Sequence, residues 1–266
     1  MMNDANEISH QTKLYGFIGE EAGTSSLCAT LNKLLKRKNK DAMAIPMNIR
    51  EDDFYFTVSN MKKSHVNGAI LSNEFVQDVV EILDEADEIV TQSGMCDILV
   101  REGEKLIGSV LFADILTKYL ESQNAKKVAL IGINHYAKAF ALTLNNSLHV
   151  SYFNDDLEAL MSFVGEMNIS DADINRVAPN MDVDLSSFDV VIDFSDFSSL
   201  SMLSKLSPLN IDMKQKKQLS SLKIRANELS ANYTGFENIL DTISSEILDF
   251  YADKNHLDYD KSDMRF

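Results

Sequence analysis

Short apolar runs rich in β-branched residues alternate along this chain with stretches in which apolar residues recur every three or four positions. The first pattern is typical of strands buried in a parallel sheet, and the second of helices with one buried face. Strands are predicted at residues 14–18, 42–47, 68–72, 128–131, 148–153, 188–194 and 209–213. Helices are predicted at 24–35, 53–62, 75–83, 111–120, from 137, and at 195–206, 215–231 and 237–251. This alternation predicts an α/β fold.

Turn and cap residues sharpen three of these boundaries. Thr24 or Ser25 is expected to cap the first helix, because a hydroxyl there can accept a free backbone N–H. Glu102 and Gly103 separate two short apolar runs and predict a β-hairpin. The charged tail over residues 253–266 is expected to fray.

Residues 127–142 have the pattern of a mononucleotide-binding unit, with a buried strand, Gly132 and then a helix. The next predicted strand ends in Asn154 and Asp155, about twenty residues further on, where such folds place the acid that binds a ribose. Asp155 has two interpretations. It could bind both ribose hydroxyls, or it could be an acid that stabilises a helix N-terminus through the dipole.

The loop of this unit lacks the expected glycines. Glycine is needed there because the backbone must turn tightly and approach the pyrophosphate. After Gly132 the loop continues with Asn134 and His135, and the bulk of His135 and Tyr136 would occupy space that phosphate oxygens need. His135 either contacts a cofactor or fills a loop that no longer binds phosphate. The candidate cofactor-binding residues are Gly132, Asn134, His135, Asn154 and Asp155.

Composition excludes several kinds of partner. The chain has 266 residues and a formal net charge of −16. Nucleic acid and anionic membranes are therefore not expected partners, because phosphate backbones and headgroups bind clustered Lys and Arg. Cys28 and Cys96 lack metal-ligand spacing, and no residues predict a metal site. No signal pattern or membrane-length apolar run is seen, so a cytoplasmic protein is expected.

Several segments together point to a family. They read YGFIG at 15–19, TSSLC at 24–28, GAILSNEFV at 68–76, GMCDILV at 94–100, GSVLFA at 108–113, DVVIDFSD at 189–196 and GFENILDTI at 235–243. In order and spacing, these segments resemble motifs of the shikimate dehydrogenase family. The resemblance covers nearly the whole chain.

The resemblance implies an architecture. Residues 1–108 would form an α/β substrate-type domain and residues 109–234 a Rossmann-type nucleotide-binding domain. Residues 235–266 would form a helix that returns to pack on the first domain, followed by the frayed tail. Members of the family pass a hydride between the substrate carbon and NADP, while a lysine and an aspartate handle the proton.

Carried over position by position, the resemblance implies lost chemistry. The lysine position holds Val76 and the aspartate position holds Phe112, and neither side chain can move a proton. The positions of the substrate-type pocket hold Ser25, Asp97 and Thr242, and Asp97 would repel a carboxylate. Ser25 could bind a ligand or cap a helix. The position of the arginine expected to clamp a 2′-phosphate holds Asp155.

Two main hypotheses of function follow. The first is a pseudoenzyme that keeps the shikimate dehydrogenase-like scaffold, binds an unknown protein partner or another small molecule, and needs no cofactor. The second is an NAD(P)-dependent oxidoreductase of altered specificity, with Asp155 favouring NAD and an unidentified base. A structural subunit of a larger assembly is a third possibility. Fold alone cannot choose among them.

Overall fold

A computed structural model describes residues 11–144, 148–214 and 219–254. The chain divides into two compact units. Unit 1 contains the described parts of Met1–Asp87, Cys96–Leu111 and Leu240–Phe266, and unit 2 contains those of Glu88–Met95 and Phe112–Ile239. Most of the predicted frayed tail and the first residues of the predicted helix at 215–231 lie outside the described residues.

Unit 1 is built on a 6-stranded mixed sheet in the order β2-β1-β3-β5-β6-β4. β1, β2 and β3 run parallel, and β5 runs antiparallel to both of its neighbours. The strands are β1 (Lys13–Gly19), β2 (Ala42–Asn48), β3 (Val66–Leu71), β4 (Glu85–Ala86), β5 (Ile98–Glu102) and β6 (Lys105–Ser109). The helices are α1 (Leu27–Arg37), α2 (Glu51–Met61) and α8 (Leu240–Asp253), with a 3₁₀ turn at Ala22–Thr24 and another at Asp78–Ile82.

The last helix belongs to the core of unit 1. Tyr251 of α8 is fully buried, its ring lies 4.1 Å from the ring of Tyr15, and its hydroxyl donates to the carbonyl of Leu99 at 3.1 Å. Gly68 makes room for this contact, because a Cβ there would lie 2.3 Å from the Leu99 oxygen and 2.9 Å from the Tyr251 ring. The predicted return of the C-terminal helix to the first domain is confirmed.

Unit 2 is built on a 5-stranded parallel sheet in the order β13-β11-β7-β8-β9, with a separate 2-stranded pair β10-β12. The strands are β7 (Lys127–Ile131), β8 (His149–Asn154), β9 (Asp173–Arg176), β10 (Val183–Asp184), β11 (Val190–Asp193), β12 (Leu203–Lys205) and β13 (Leu209–Ile211). The helices are α3 (Glu88–Ser93), α4 (Phe112–Ser122), α5 (His135–Thr143), α6 (Leu157–Glu166) and α7 (Ser221–Glu228), with a 3₁₀ turn at Phe236–Ile239.

The strand order of unit 2 contains a reversal of the kind beside which open α/β sheets bind ligands. β7 lies in the middle, with β8 on one side and β11 on the other. Successive strands are therefore added first on one side of β7 and then on the other, and this order reverses between β7 and β11. In open α/β sheets, ligands bind at the carboxyl ends of the strands beside such a reversal. We call residues 132–134 and 193–195, which follow β7 and end β11, the carboxyl edge of unit 2. The α/β fold with a Rossmann-type domain is confirmed.

Two predicted helices are wrong. Residues 75–83 form turns and the short 3₁₀ helix. There the Val76 carbonyl accepts from the Cys96 N–H at 2.7 Å, and the Val80 N–H donates to the Gln77 carbonyl at 3.0 Å and not to Val76. Residues 195–206 are irregular and then form β12. There the Ser195 carbonyl accepts from the Lys214 ammonium at 3.0 Å. In both places, tertiary contacts take the carbonyl groups that a helix would need.

One predicted cap is confirmed only in part, because the Ser25 hydroxyl accepts from the N–H of Leu27, the first residue of α1, at 3.2 Å without holding the N-cap position, and several elements were missed. The N-cap position of α1 is held by Ser26, without a side-chain hydrogen bond. Instead of capping that helix, Thr24 donates to the Glu21 carbonyl at 2.9 Å. The missed elements are α3, α6, β4, β9, β10 and β12.

Candidate functional site

Gly132 is required by the packing of the carboxyl edge of unit 2. Its φ is +88°, and a Cβ there would lie 2.6 Å from the backbone nitrogen of Ser195. Only glycine takes this backbone conformation without strain and tolerates so close an approach. The structure therefore gives this predicted cofactor-binding glycine a packing role against the exit of β11.

Asn134 closes the N-terminus of α5 with its own side chain. Its Oδ1 accepts from the backbone N–H groups of Tyr136 at 3.0 Å and Ala137 at 3.3 Å, and its Nδ2 donates to the Phe194 carbonyl at 2.7 Å. N–H groups in the first turn of a helix are the ones that hold a pyrophosphate in a Rossmann loop. Here the Oδ1 of Asn134 already accepts from two such N–H groups, those of Tyr136 and Ala137.

Four aromatic side chains, which we call the aromatic cluster, pack beside this edge: Phe112, Tyr136, Phe140 and Phe194. The ring of Tyr136 lies 5.1 Å from that of Phe112 and 6.2 Å from that of Phe194. Phe112 and Phe194 are themselves 5.8 Å apart and buried. Tyr136, the residue behind the predicted phosphate loop, thus packs against the residue at the family's aspartate position.

His135 is half-buried at the start of α5. Burial and the nearby Lys138 ammonium lower the pKa of His135, while Asp196 acts in the opposite direction. The imidazole therefore favours its neutral form. A neutral ring offers less to an anionic ligand than an imidazolium would.

The predicted ribose site lies at the end of β8. Asn154 is buried, and its side chain donates to the Asp156 carbonyl at 3.3 Å. Asp155 is exposed, and its backbone carbonyl accepts from the Arg176 guanidinium at 3.3 Å. The acid that caps α6 is Asp156, which accepts from the N–H groups of Glu158 and Ala159. Asp155 is therefore not needed for the cap, which leaves its carboxylate available for a ligand.

In unit 1, the residues at the family's site positions are held by local contacts. Ser25 accepts from the Leu27 N–H at 3.2 Å, and Leu27 is buried. Val76 is only 1% exposed and lies in the core. Asp97 accepts from the Leu111 N–H at 2.7 Å through its side chain, and its carbonyl accepts from the Leu71 N–H.

Thr242 lies in the first turn of α8 and is half-buried. α8, which carries Thr242, packs against α1, which begins two residues after Ser25. Sequence reasoning missed Glu74, which accepts from the Glu20 N–H at 2.8 Å and from the Ser72 hydroxyl. The sequence contained a signal for Glu74, because the family motif that residues 68–76 resemble has proline at this position.

A second missed feature is a set of polar side chains in unit 2 that hydrogen bonds join into one buried group. It joins Asp193, Ser195, Asp212, Lys214, Ser220 and Tyr233, which lie at or after the ends of β11 and β13. The sequence pattern predicts Asp193 as the polar end of a buried strand. No feature of the sequence predicts that Asp212 or Tyr233 lies near it. Their association depends on the strand order, which the pattern alone does not give.

Two kinds of feature are absent from the described residues. No group of three or more His, Cys, Asp or Glu side chains there is arranged to hold a metal ion. Within those same residues, no helix combines the length and the apolar character needed to cross a bilayer.

Comparison with known proteins shows which sequences and structures this chain resembles. No protein-family model matches the sequence. A shikimate dehydrogenase (NADP(+)) of Pyrococcus furiosus is 23% identical over 154 residues, 57% of this chain and 56% of the relative. One of Halothermothrix orenii is 24% identical over 198 residues, 70% of this chain and 68% of the relative. The first match thus spans little more than half of the relative's length.

Solved structures decide the fold. The crystal structure of a shikimate dehydrogenase in complex with NADP+ superimposes with a TM-score of 0.70, covering 92% of this chain and 91% of that chain at 17% identity. A shikimate 5-dehydrogenase of Listeria monocytogenes, crystallised with shikimate and NAD, gives 0.66 and covers 92% of both chains at 14% identity. The chain has a diverged shikimate dehydrogenase-like fold. This fold includes the Rossmann-type domain that the sequence predicted.

Proposed function

We propose that this shikimate dehydrogenase-like protein is a pseudoenzyme, which keeps the scaffold but does not transfer a hydride. It would bind a protein partner or a different small molecule without a resident cofactor. The observation that carries the proposal is the environment of Val76 and Phe112. Val76 is 1% exposed and Phe112 is 8% exposed, and each packs in the core of its own unit. Neither can serve as the base that removal of a hydride from an alcohol carbon requires.

The carboxyl edge of unit 2 supports the same proposal. A pyrophosphate would have to displace the Asn134 side chain from the N–H groups of Tyr136 and Ala137. It would also have to share the space beside them with the Tyr136 ring, which the aromatic cluster holds in place. Both costs oppose cofactor binding.

We also propose that the protein acts in the cytoplasm. Cys28 and Cys96, its only cysteines, are both unpaired and buried. Burial raises the pKa of both thiols, to about 11 for Cys28. Unpaired thiols fit a reducing compartment.

The test is a melting curve with each family ligand. The protein is heated alone and with millimolar NADP+, NAD+ or shikimate, and the melting temperature is read by circular dichroism. Ligands that bind only the folded state raise it by mass action. The proposal expects no shift with NADP+ and none with shikimate. A shift with NADP+ that grows with its concentration would count against a cofactor-free role.

A second candidate is an NAD-dependent oxidoreductase of altered specificity, and Asp155 favours it. The carboxylate of Asp155 is exposed at the end of β8, and the cap of α6 is supplied by Asp156 instead. An acid at this place can bind the two ribose hydroxyls of NAD and repels a 2′-phosphate.

This candidate expects a melting shift with NAD+ that Asp155→Asn reduces. Asp182→Asn, at another exposed acid of unit 2, is the matched control and should leave the shift unchanged. Absence of any shift at millimolar NAD+ would eliminate the candidate.

A further inference from the structure

Asp193 ends β11 with a carboxylate that is only half satisfied. The residue is 1% exposed. Its Oδ1 accepts from both the backbone N–H of Ser195 at 2.9 Å and the Ser195 hydroxyl at 2.6 Å. Its Oδ2 is buried and has no hydrogen-bond partner within the described part of the chain. A buried carboxylate oxygen without a donor is costly when it carries charge.

The same carboxylate fixes the segment that closes the carboxyl edge of unit 2. By holding Ser195, it sets the path of the chain at Phe194. The Phe194 carbonyl accepts from Asn134, and the Phe194 ring joins the aromatic cluster. The backbone of Ser195 lies against Gly132 with no space for a Cβ. Access of water to Asp193 therefore requires this segment to move away from the loop after β7.

Few charged groups act on Asp193. The segment after β13 contributes Lys214, which favours the carboxylate, and Asp212, which disfavours it. Tyr233, which follows α7, donates its hydroxyl to Asp212. On the α5 side, Gly132 and Asn134 are uncharged, and His135 interacts with Lys138 and Asp196. The Lys214 ammonium is thus the one cation named here beside two buried carboxylates, those of Asp193 and Asp212.

We infer that Asp193 is a proton-linked latch, whose uptake of a proton favours closure of the carboxyl edge of unit 2 and whose ionisation favours its local opening. In the closed state the Asp193 side chain is shielded from water and holds its proton more tightly than a solvated aspartate does. In the open state it reaches water, and the Asn134 side chain, which accepts from the first-turn N–H groups of α5, loses its bond to the Phe194 carbonyl. The latch links pH to access at this edge. It goes beyond the proposed function, since it needs neither turnover nor a bound ligand.

The direction of the pH effect follows from the balance between burial, which raises the pKa of Asp193, and hydrogen bonding, which lowers it. Burial raises the pKa of Asp193 from 3.8 to about 6, against the opposing hydrogen bond from Ser195 and the charge of Lys214. A solvated Asp193 in the open state would titrate near its ordinary value. The closed state therefore binds more protons between these two values, so its stability falls as pH rises through this window and stays reduced above it.

The test is hydrogen exchange of the Ser195 amide, followed by NMR on the full chain at pH 5.5 and at pH 8, both above the sequence pI near 4.7. After correction for the intrinsic exchange rate, protection reports the opening equilibrium. In the wild-type protein, protection at pH 8 should be about fourfold lower than at pH 5.5, as follows from the two pKa values. The amides of Tyr136 and Ala137 should follow the same trend.

Two matched variants decide the cause. Asp193→Asn keeps the acceptor for Ser195 and removes the charge, so protection at pH 8 should rise by up to about a hundredfold and lose its pH dependence. Asp212→Asn alters an equally buried acid whose two oxygens accept from Tyr233, Ser220 and the Lys214 N–H. It should lower protection and keep the pH dependence.

Flat wild-type protection across this pH range would overturn the latch. So would an Asp193→Asn variant that loses protection as Asp212→Asn does. If Asp193→Asn fails to fold, the wild-type pH series still decides. Turnover of shikimate, which would contradict the proposed function, would leave these exchange rates and their interpretation unchanged.

Discussion

At the scale of single residues, the proposed loss of catalysis depends on apolar side chains at the two positions that the resemblance aligns with the family's proton carriers. Val76 and Phe112 pack in cores, and Tyr136 packs against Phe112. Sequence reasoning placed all three residues at functionally important positions of the resembling family. It could not foresee that Phe112 and Tyr136 would touch, because that contact depends on the start of two helices that are distant in sequence.

Ser244 offers a stability test of the core of unit 1. It lies on α8 and is fully buried, and its hydroxyl has no hydrogen-bond partner among the described residues. Ser244→Ala removes the unsatisfied group and improves helix propensity, so the free energy of unfolding should rise by about 1 kcal/mol. Denaturant unfolding measures the change.

The control for that prediction is Ser93→Ala. Ser93 is also buried on a helix, but its hydroxyl donates to the Ile89 carbonyl at 2.6 Å. Its replacement should lower the free energy of unfolding, because a formed hydrogen bond is lost. A loss of stability in Ser244→Ala as well would show that the Ser244 hydroxyl has a donor or acceptor in the folded protein.

At the scale of elements, pattern reasoning found the strands of both sheets that have strong apolar runs, including β1, β3 and β7. It failed at 75–83 and 195–206, where the apolar spacing suits a helix but the carbonyls are taken by Cys96 and Lys214. Those contacts join segments far apart in sequence, so no local window contains them. β9 was missed because it lies at the sheet edge and its four residues are mostly polar.

The caps of two helices in unit 2 allow a comparison. Asn134 caps α5 and Asp156 caps α6, each by accepting from two N–H groups. Replacement of either by alanine should cost roughly 1 kcal/mol of stability. Only Asn134→Ala should gain affinity for pyrophosphate in calorimetry, because only that cap closes the edge where a Rossmann loop holds phosphate. Equal pyrophosphate binding in both variants and the wild type would contradict the role given to Asn134.

At the scale of the whole molecule, the order and spacing of motifs predicted the fold, whereas the resemblance aligns nearly every reactive position of the family with a different residue. Glycines at approaches such as Gly68 and Gly132 remain because the backbone geometry of the fold needs them. Catalytic side chains are under no such geometric requirement. The fold could therefore be predicted from sequence more fully than the site, and the buried group around Asp193 could not be predicted at all.

The most direct test of the central claim is turnover. The purified protein is mixed with shikimate and NADP+, and separately with shikimate and NAD+, at protein concentrations close to those of the substrate. Nicotinamide reduction is followed by absorbance, with an active shikimate dehydrogenase as the positive control. A pseudoenzyme should yield no reduced cofactor, not even from a single turnover. Reduction in proportion to added protein would contradict it and would mean that another residue supplies the base.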